Sequence, residues 1–242
     1  MGPILYSVVI PVYNEEAAIT STIKRIEDYF NKRRSTYEVI LVNDGSTDAT
    51  VTKIRNEISD RPNVRLLANR RNEGKGAAVR KGMLSSRGDY LIFTDADMST
   101  PIEELDSILE PGFAYNDKIV IGIRDETVKN KKVDRPAIRK IVSRTYNFMA
   151  NFLFGLKMND IGCGFKCFPS AIAKSIFAEQ KIKGWVFDAE LLLKARKMGV
   201  PVKEVPVSWA NHLITRVNII PDSAYCAFDL LRLFYYNLAG KL

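Results

Sequence analysis

Short apolar runs alternate with helical stripes through the first half of the chain. Ser7–Tyr13, Tyr37–Val42, Val64–Leu67 and Tyr90–Phe93 are mostly apolar and closed by turn-forming residues, the pattern of strands buried on both faces. Between the first two, Ile19, Ile23, Ile26 and Phe30 recur at helical spacing, with Asn14 as the expected N-cap. Val51, Ile54 and Ile58 form a second stripe, and Asn72–Ala78 should open a third helix that ends near Ser86-Arg87-Gly88. Thr100-Pro-Ile-Glu103 has the form of a capping box with proline at the first helical position, so a helix through Leu109 should follow. Four β-α repeats predict an α/β fold whose parallel sheet is covered by helices on both faces.

The second half changes character. Lys118–Gly122 reads as a strand. A basic tract follows, with Arg124, Lys129, Lys131, Lys132, Arg135, Arg139, Lys140 and Arg144. From Ala137, the residues Ile138, Ile141, Val142, Thr145, Met149 and Phe152 make an apolar stripe, leaving Arg139 and Ser143 on the other face, and Gly155 ends the helix. Asn159–Phe165 is glycine-rich and reads as a loop. A helix beginning at Phe187–Glu190 should stop at Gly199, and Val202–Trp209 reads as a last strand. Asp222–Leu238 is apolar nearly all round apart from Asp222, Tyr225, Asp229, Arg232 and Tyr236. It is shorter than the ~20 apolar residues a bilayer span needs, so it docks on the domain, lies in a membrane interface, or leads into membrane segments. The expected division is one domain over 1–220 and an amphipathic helix over 221–242.

Composition narrows the classes. A chain of 242 residues with 46% hydrophobic and 26% charged residues is an ordinary globular protein, neither fibrous nor disordered. Its net charge of +8 calls for an anionic partner: nucleic acid, a membrane surface or a phosphorylated substrate. Cys163, Cys167 and Cys226 lack the partners of a zinc set, because the one histidine, His212, lies far away, so reduced thiols are expected. The N-terminus carries no signal-peptide pattern, and cytoplasmic residence is the expectation.

Chemistry enters at the strand ends. Asp95 and Asp97 emerge where an apolar run breaks, and two acids one residue apart suit a hard divalent cation that also touches phosphates. The alternative is an acidic loop that caps the next helix. Pro11–Glu15 and Asn43–Asp48 should reach the same sheet edge, where open α/β sheets bind ligands. Asp44 is placed to accept from a ribose hydroxyl or base N–H, or else serves as a turn residue beside Gly45. Lys75, between Gly74 and Gly76 at a helix start, suits a phosphate, although the segment is not a Walker A loop.

Val8–Glu16, Val42–Asp48, Asn72–Gly76 and Thr94–Asp97 resemble, in order and spacing, the signature of family 2 glycosyltransferases of the GT-A fold. Asp160–Lys166, Gly184–Glu190 and Glu204–Trp209 resemble dolichyl-phosphate β-glucosyltransferases more than dolichol-phosphate mannose synthases. The resemblance implies a Rossmann-like, mostly parallel sheet flanked by helices. It implies that Pro11, Tyr13, Glu15, Asp44, Lys75 and Asp95 hold a nucleotide-sugar, that Asp95 and Asp97 bind Mg²⁺ or Mn²⁺, and that Arg124 and Arg139 receive an acceptor lipid's phosphate. The chain departs from the mannose synthases at Ser99 and Ile123, where they carry glutamine and serine.

The expected reaction is inverting transfer of glucose from UDP-glucose to dolichyl or another polyprenyl phosphate at the cytoplasmic membrane face. GDP-mannose is the alternative donor. A phosphate acceptor with a second pKa of about 6 is already largely anionic, so no strong base is needed. Asp160 joins Asp95 and Asp97 as an expected catalytic carboxylate, while Trp185, Asp188 and Glu190 are placed to orient sugar or acceptor. Asp188 is equally a helix N-cap, and Trp185 equally a core residue. A nucleic-acid-binding module would explain the net charge, but it leaves Asp95 and Asp97 electrostatically misplaced, so no nucleic-acid partner is expected.

Overall fold

The computed structural model describes residues 3–109, 117–127, 132–133, 136–210 and 219–242. Lys129, Lys131, Arg135 and His212 lie outside them. The strands are β1 (Tyr6–Val12), β2 (Tyr37–Asn43), β3 (Val64–Ala68), β4 (Tyr90–Phe93), β5 (Ile119–Ile123), β6 (Lys166–Pro169) and β7 (Val202–Pro206). The helices are α1 (Ile19–Arg33), α2 (Thr50–Ile58), α3 (Lys75–Ser85), α4 (Leu105–Ile108), α5 (Ala137–Phe154), α6 (Ser170–Ala178), α7 (Phe187–Lys197) and α8 (Ile219–Leu238).

The sheet order is β3-β2-β1-β4-β6-β5-β7. Every pairing is parallel except those of β6, which runs antiparallel to both β4 and β5. The fold is thus a mostly parallel sheet between helical layers. Successive strand residues point to opposite faces and feed two cores. Val9, Val42, Leu91 and Phe93 pack with α3, α6 and α7, whereas Val8, Ile10, Leu41 and Ile92 pack with α1 and α2.

Several local expectations are corrected. Asn14 does not cap α1; it holds a left-handed φ of 55°, and its side-chain oxygen accepts the Thr47 N–H at 2.8 Å. The helix after Thr100 is a single 3-10 turn over Ile102–Glu104 that runs into the four-residue α4. Residues 166–178, given no element by the sequence pattern, form β6 and α6. The apolar stripe of α5 does not face the core: Ile138, Ile141, Phe148, Met149 and Phe152 are exposed. Asn147 and Asn151 face the domain instead, exchanging hydrogen bonds with backbone groups of residues 158–161, beside buried Ala150 and Phe154. In α8, Leu230 and Leu233 are buried, while Tyr225, Phe228, Leu231, Tyr235 and Leu238 face outward. Among the described residues no helix is long and apolar enough to cross a membrane.

Candidate active site

The first four strands end side by side, and their C-terminal turns build the site. Val12 is in register with Asn43, and the Asp44 N–H donates to the Val12 carbonyl at 2.8 Å, so the turns after β1 and β2 adjoin. Side chains lock them together. Thr50 Oγ1 accepts the Glu15 N–H, and the Glu16 carboxylate accepts that of Ala49. Pro11 is half-buried within β1, and Tyr13 projects outward beyond it.

The turn after β4 shows why Asp-Ala-Asp works as a unit. Thr94, Ala96 and Met98 are buried and alternate with half-buried Asp95 and Asp97, so both carboxylates emerge on the open side. The Thr22 hydroxyl of α1 donates to the Ala96 carbonyl at 2.6 Å, and Asp97 Oδ1 accepts the Ser99 N–H at 2.9 Å. Met98 adopts a left-handed φ of 50° to complete the turn. Gly164 closes the far side, since a Cβ there would collide with the Asp95 carboxylate.

Lys75 meets this turn from α3. Its Nζ lies 2.6 Å from Asp95 Oδ1, 5.3 Å from the centre of the Phe93 ring and 5.1 Å from that of Trp185. Burial works to lower its pKa, but Asp95, Asp188 and Asp97 outweigh burial and raise it, so Lys75 is a cation. Gly74 takes a φ of 105°, and a Cβ there would sit 2.5 Å from the Lys183 carbonyl. Asp44 supports this helix start. Its carboxylate accepts from Asn69 Nδ2, the Glu73 N–H and the Gly74 N–H at 2.8–2.9 Å.

Asp160, Asp188 and Glu190 each pair with a cation. Asp160 is bound by the guanidinium of Arg124 through two 2.6 Å contacts and also accepts the Arg124 N–H. Asp160 and Arg124 thus neutralise each other in this structure. Burial alone would push the Arg124 pKa down, but Asp160 raises it. Asp188 is buried against Lys166, with Oδ1 and Nζ 2.7 Å apart; desolvation raises its pKa against the pull of Lys166 and Lys75. Glu190 is fully buried, accepts the Lys181 and Ile182 N–H groups and pairs with Lys194 at 2.9 Å. It thereby anchors the segment before Trp185. Arg139 lies in the first turn of α5, half-buried.

Lys166 was missed by sequence reasoning. The available signal was a lysine opening an otherwise apolar Phe165-Lys-Cys-Phe168 run, where a charge must be either exposed or paired.

Among the described residues no group of three His, Cys, Asp or Glu side chains could hold a metal. Two carboxylates beside a lysine cation nevertheless suit a hard divalent ion, which takes its remaining ligands from substrate phosphates and water.

The family model "Glycosyl transferase family 2" matches residues 7–177. A dolichyl-phosphate beta-glucosyltransferase of Trichomonas vaginalis is 35% identical over 241 residues, covering 96% of this chain and 71% of that protein. The Homo sapiens protein of the same name is 33% identical, covering 98% and 77%. Among solved structures, glucosyl-3-phosphoglycerate synthase from Mycobacterium tuberculosis with UDP superposes with a TM-score of 0.70 at 18% identity, covering 95% of this chain and 80% of that one. Mannosyl-3-phosphoglycerate synthase from Rubrobacter xylanophilus gives 0.73 at 13%, covering 99% and 76%. The GT-A architecture, the Asp-x-Asp turn and these relatives agree: the chain belongs to glycosyltransferase family 2, among the dolichyl-phosphate beta-glucosyltransferases.

Proposed function

We propose that this protein transfers glucose from UDP-glucose to dolichyl or another polyprenyl phosphate with inversion, giving a β-linked lipid-phosphate sugar. One observation carries the reading beyond the relatives' names. Asp160, Asp188 and Glu190, carboxylates expected from the sequence to act on sugar or acceptor, are each matched with a cation. A hydroxyl acceptor would need a base, whereas a phosphate with a second pKa of about 6 arrives as the nucleophile.

The chain's residues then divide the work. The turns after β1 and β2 hold the nucleotide, and Asp95 and Asp97 present oxygen ligands toward the diphosphate. Lys75 supplies a positive charge next to them and moves from Asp95 toward the departing phosphates. Trp185 covers Lys75 and limits water at the transfer point. Mg²⁺ or Mn²⁺ bound at Asp95 and Asp97 would stabilise charge on the leaving nucleoside diphosphate. One structural neighbour was crystallised with Mn²⁺ and UDP-glucose, which supports both assignments.

The acceptor is a lipid, and the outward apolar faces of α5 and α8 suit an interface between water and membrane. With the net charge of +8, they support peripheral residence on the cytoplasmic face of a membrane that carries anionic lipid.

The deciding experiment is incubation of the purified protein with a polyprenyl phosphate and either UDP-glucose or GDP-mannose, with mass analysis of the lipid product. A hexosyl-phosphate lipid from UDP-glucose is expected. Its formation from GDP-mannose alone would replace glucose by mannose, and no lipid product from either would reject the reading.

A further inference from the structure

Lys166 is fully buried on β6. Burying an ammonium costs several kcal/mol unless it is paired and hydrogen-bonded, so its surroundings are informative. Three features of the site meet at this nitrogen. Its Nζ pairs with Asp188 Oδ1 at 2.7 Å, at the first turn of α7. It also donates to the Cys163 carbonyl, next to the glycine that presses on Asp95. Finally, it lies 5.8 Å from the centre of the Phe93 ring, and β6 sets Lys166 in register with Phe93, two residues before Asp95. Lys75 lies near the same ring, at 5.3 Å. Two cations therefore border Phe93, each with its own carboxylate, Lys75 with Asp95 and Lys166 with Asp188.

This arrangement matters once the donor binds. Lys75 can serve the diphosphate only by loosening its contact with Asp95. As it does so, any uncompensated carboxylate nearby competes for it. Asp188 is that competitor, since its carboxylate lies 2.7 Å from an ammonium that borders the same Phe93 ring as Lys75. With Lys166 in place, Asp188 is neutralised and Lys75 is left to the phosphates.

We propose that Lys166 is a positioning residue of the transfer reaction: by pairing with Asp188 and holding the Cys163 carbonyl, it keeps Asp188 from capturing Lys75 and so leaves Lys75 available to the donor diphosphate. The inference rests on the proposed use of UDP-glucose, and its test separates the two. Calorimetric binding of UDP and of uridine is measured on the wild type, Lys166→Met and Lys166→Met/Asp188→Asn, with thermal melting as a check on folding.

In Lys166→Met, UDP should bind about tenfold more weakly while uridine, which has no phosphate, binds as before. Removing the competing carboxylate in the double variant should restore UDP binding to within about twofold of wild type. A merely structural lysine would weaken both ligands alike and would gain nothing from the second substitution. Equal weakening of UDP and uridine, unchanged UDP affinity in Lys166→Met, or no recovery in the double variant would overturn the proposal. If Lys166→Met fails to fold, Asp188→Asn in the otherwise intact chain replaces it. That change frees Lys166 rather than Asp188, so UDP affinity should be kept or increased, and a loss greater than about fivefold overturns the proposal. A wild type that binds no UDP removes the donor reading and this inference together.

Discussion

Asp97 and Asp95 have the same chemistry and different surroundings. Asp95 is held by Lys75, whereas Asp97 uses one oxygen to accept the Ser99 N–H and is half-buried at the edge of the turn. Replacing Asp97 therefore removes the proposed metal ligand with little loss of packing. Asp97→Ala should lower transfer by about a thousandfold or more and leave the melting temperature nearly unchanged, a residue-scale effect of losing charge stabilisation in the transition state. A radiolabelled glucose-transfer assay with a melting curve checks it, with excess EDTA on the wild type as a parallel arm; wild-type turnover in either case refutes the metal assignment. The Asp-x-Asp pair was legible in the chain because a strand end followed by alternating burial can be read from a few residues. The fates of Asp160 and Glu190 were not, because their partners Arg124 and Lys194 are decided by how distant segments or a buried helix face pack.

At the scale of elements, α5 and α8 each leave apolar surface facing outward. Asn147 and Asn151 help dock α5, Leu230 and Leu233 dock α8, and yet Phe152 is 79% exposed and Phe228 65%. A helical stripe states which residues share a face but not what that face meets. The doublet Phe152→Glu/Phe228→Glu should reduce binding to vesicles containing anionic lipid by about tenfold and leave UDP binding unaltered, since neither side chain lies in the donor site. Cosedimentation measures it, and unchanged vesicle binding would remove the interfacial role of these faces. Strand β6 was hidden for a related reason. Lys166-Cys-Phe-Pro169 is only four residues, opens on a charge and ends in proline, and its antiparallel place between β4 and β5 is fixed by non-local pairing.

Across the whole molecule, the two ends of the sheet carry opposite duties. The carboxyl end carries the candidate site, and the amino end is fastened by Glu38, which is 1% exposed. Glu38 accepts from Ser7 Oγ at 2.7 Å, from the Arg87 N–H at 2.7 Å and from the Arg65 and Arg87 guanidinium groups, joining β1, β2, β3 and the chain after α3. Burial pushes its pKa up, but these donors together hold it below the ordinary value of 4.5. A depressed carboxylate stabilises the fold fully above its unfolded pKa and loses that contribution as pH falls through the folded value. Glu38→Gln should therefore cost about 3 kcal/mol at pH 7 and progressively less below about pH 4.3. Urea denaturation at both ends of that range tests it, and a pH-independent difference would show that charge is not what Glu38 contributes.

The sequence by itself determined the α/β alternation, the sheet edge on which Pro11, Asp44, Lys75, Asp95 and Asp97 gather, and the family. Those features rest on local periodicity and on motifs contained in single turns. Only the tertiary structure decided which charges remain available. Ion pairing depends on distance between segments far apart in the chain, and burial makes each unmatched charge costly enough that packing must find it a partner. Packing likewise turned the apolar faces of α5 and α8 outward and brought Lys166, from an unpredicted strand, beside Asp188.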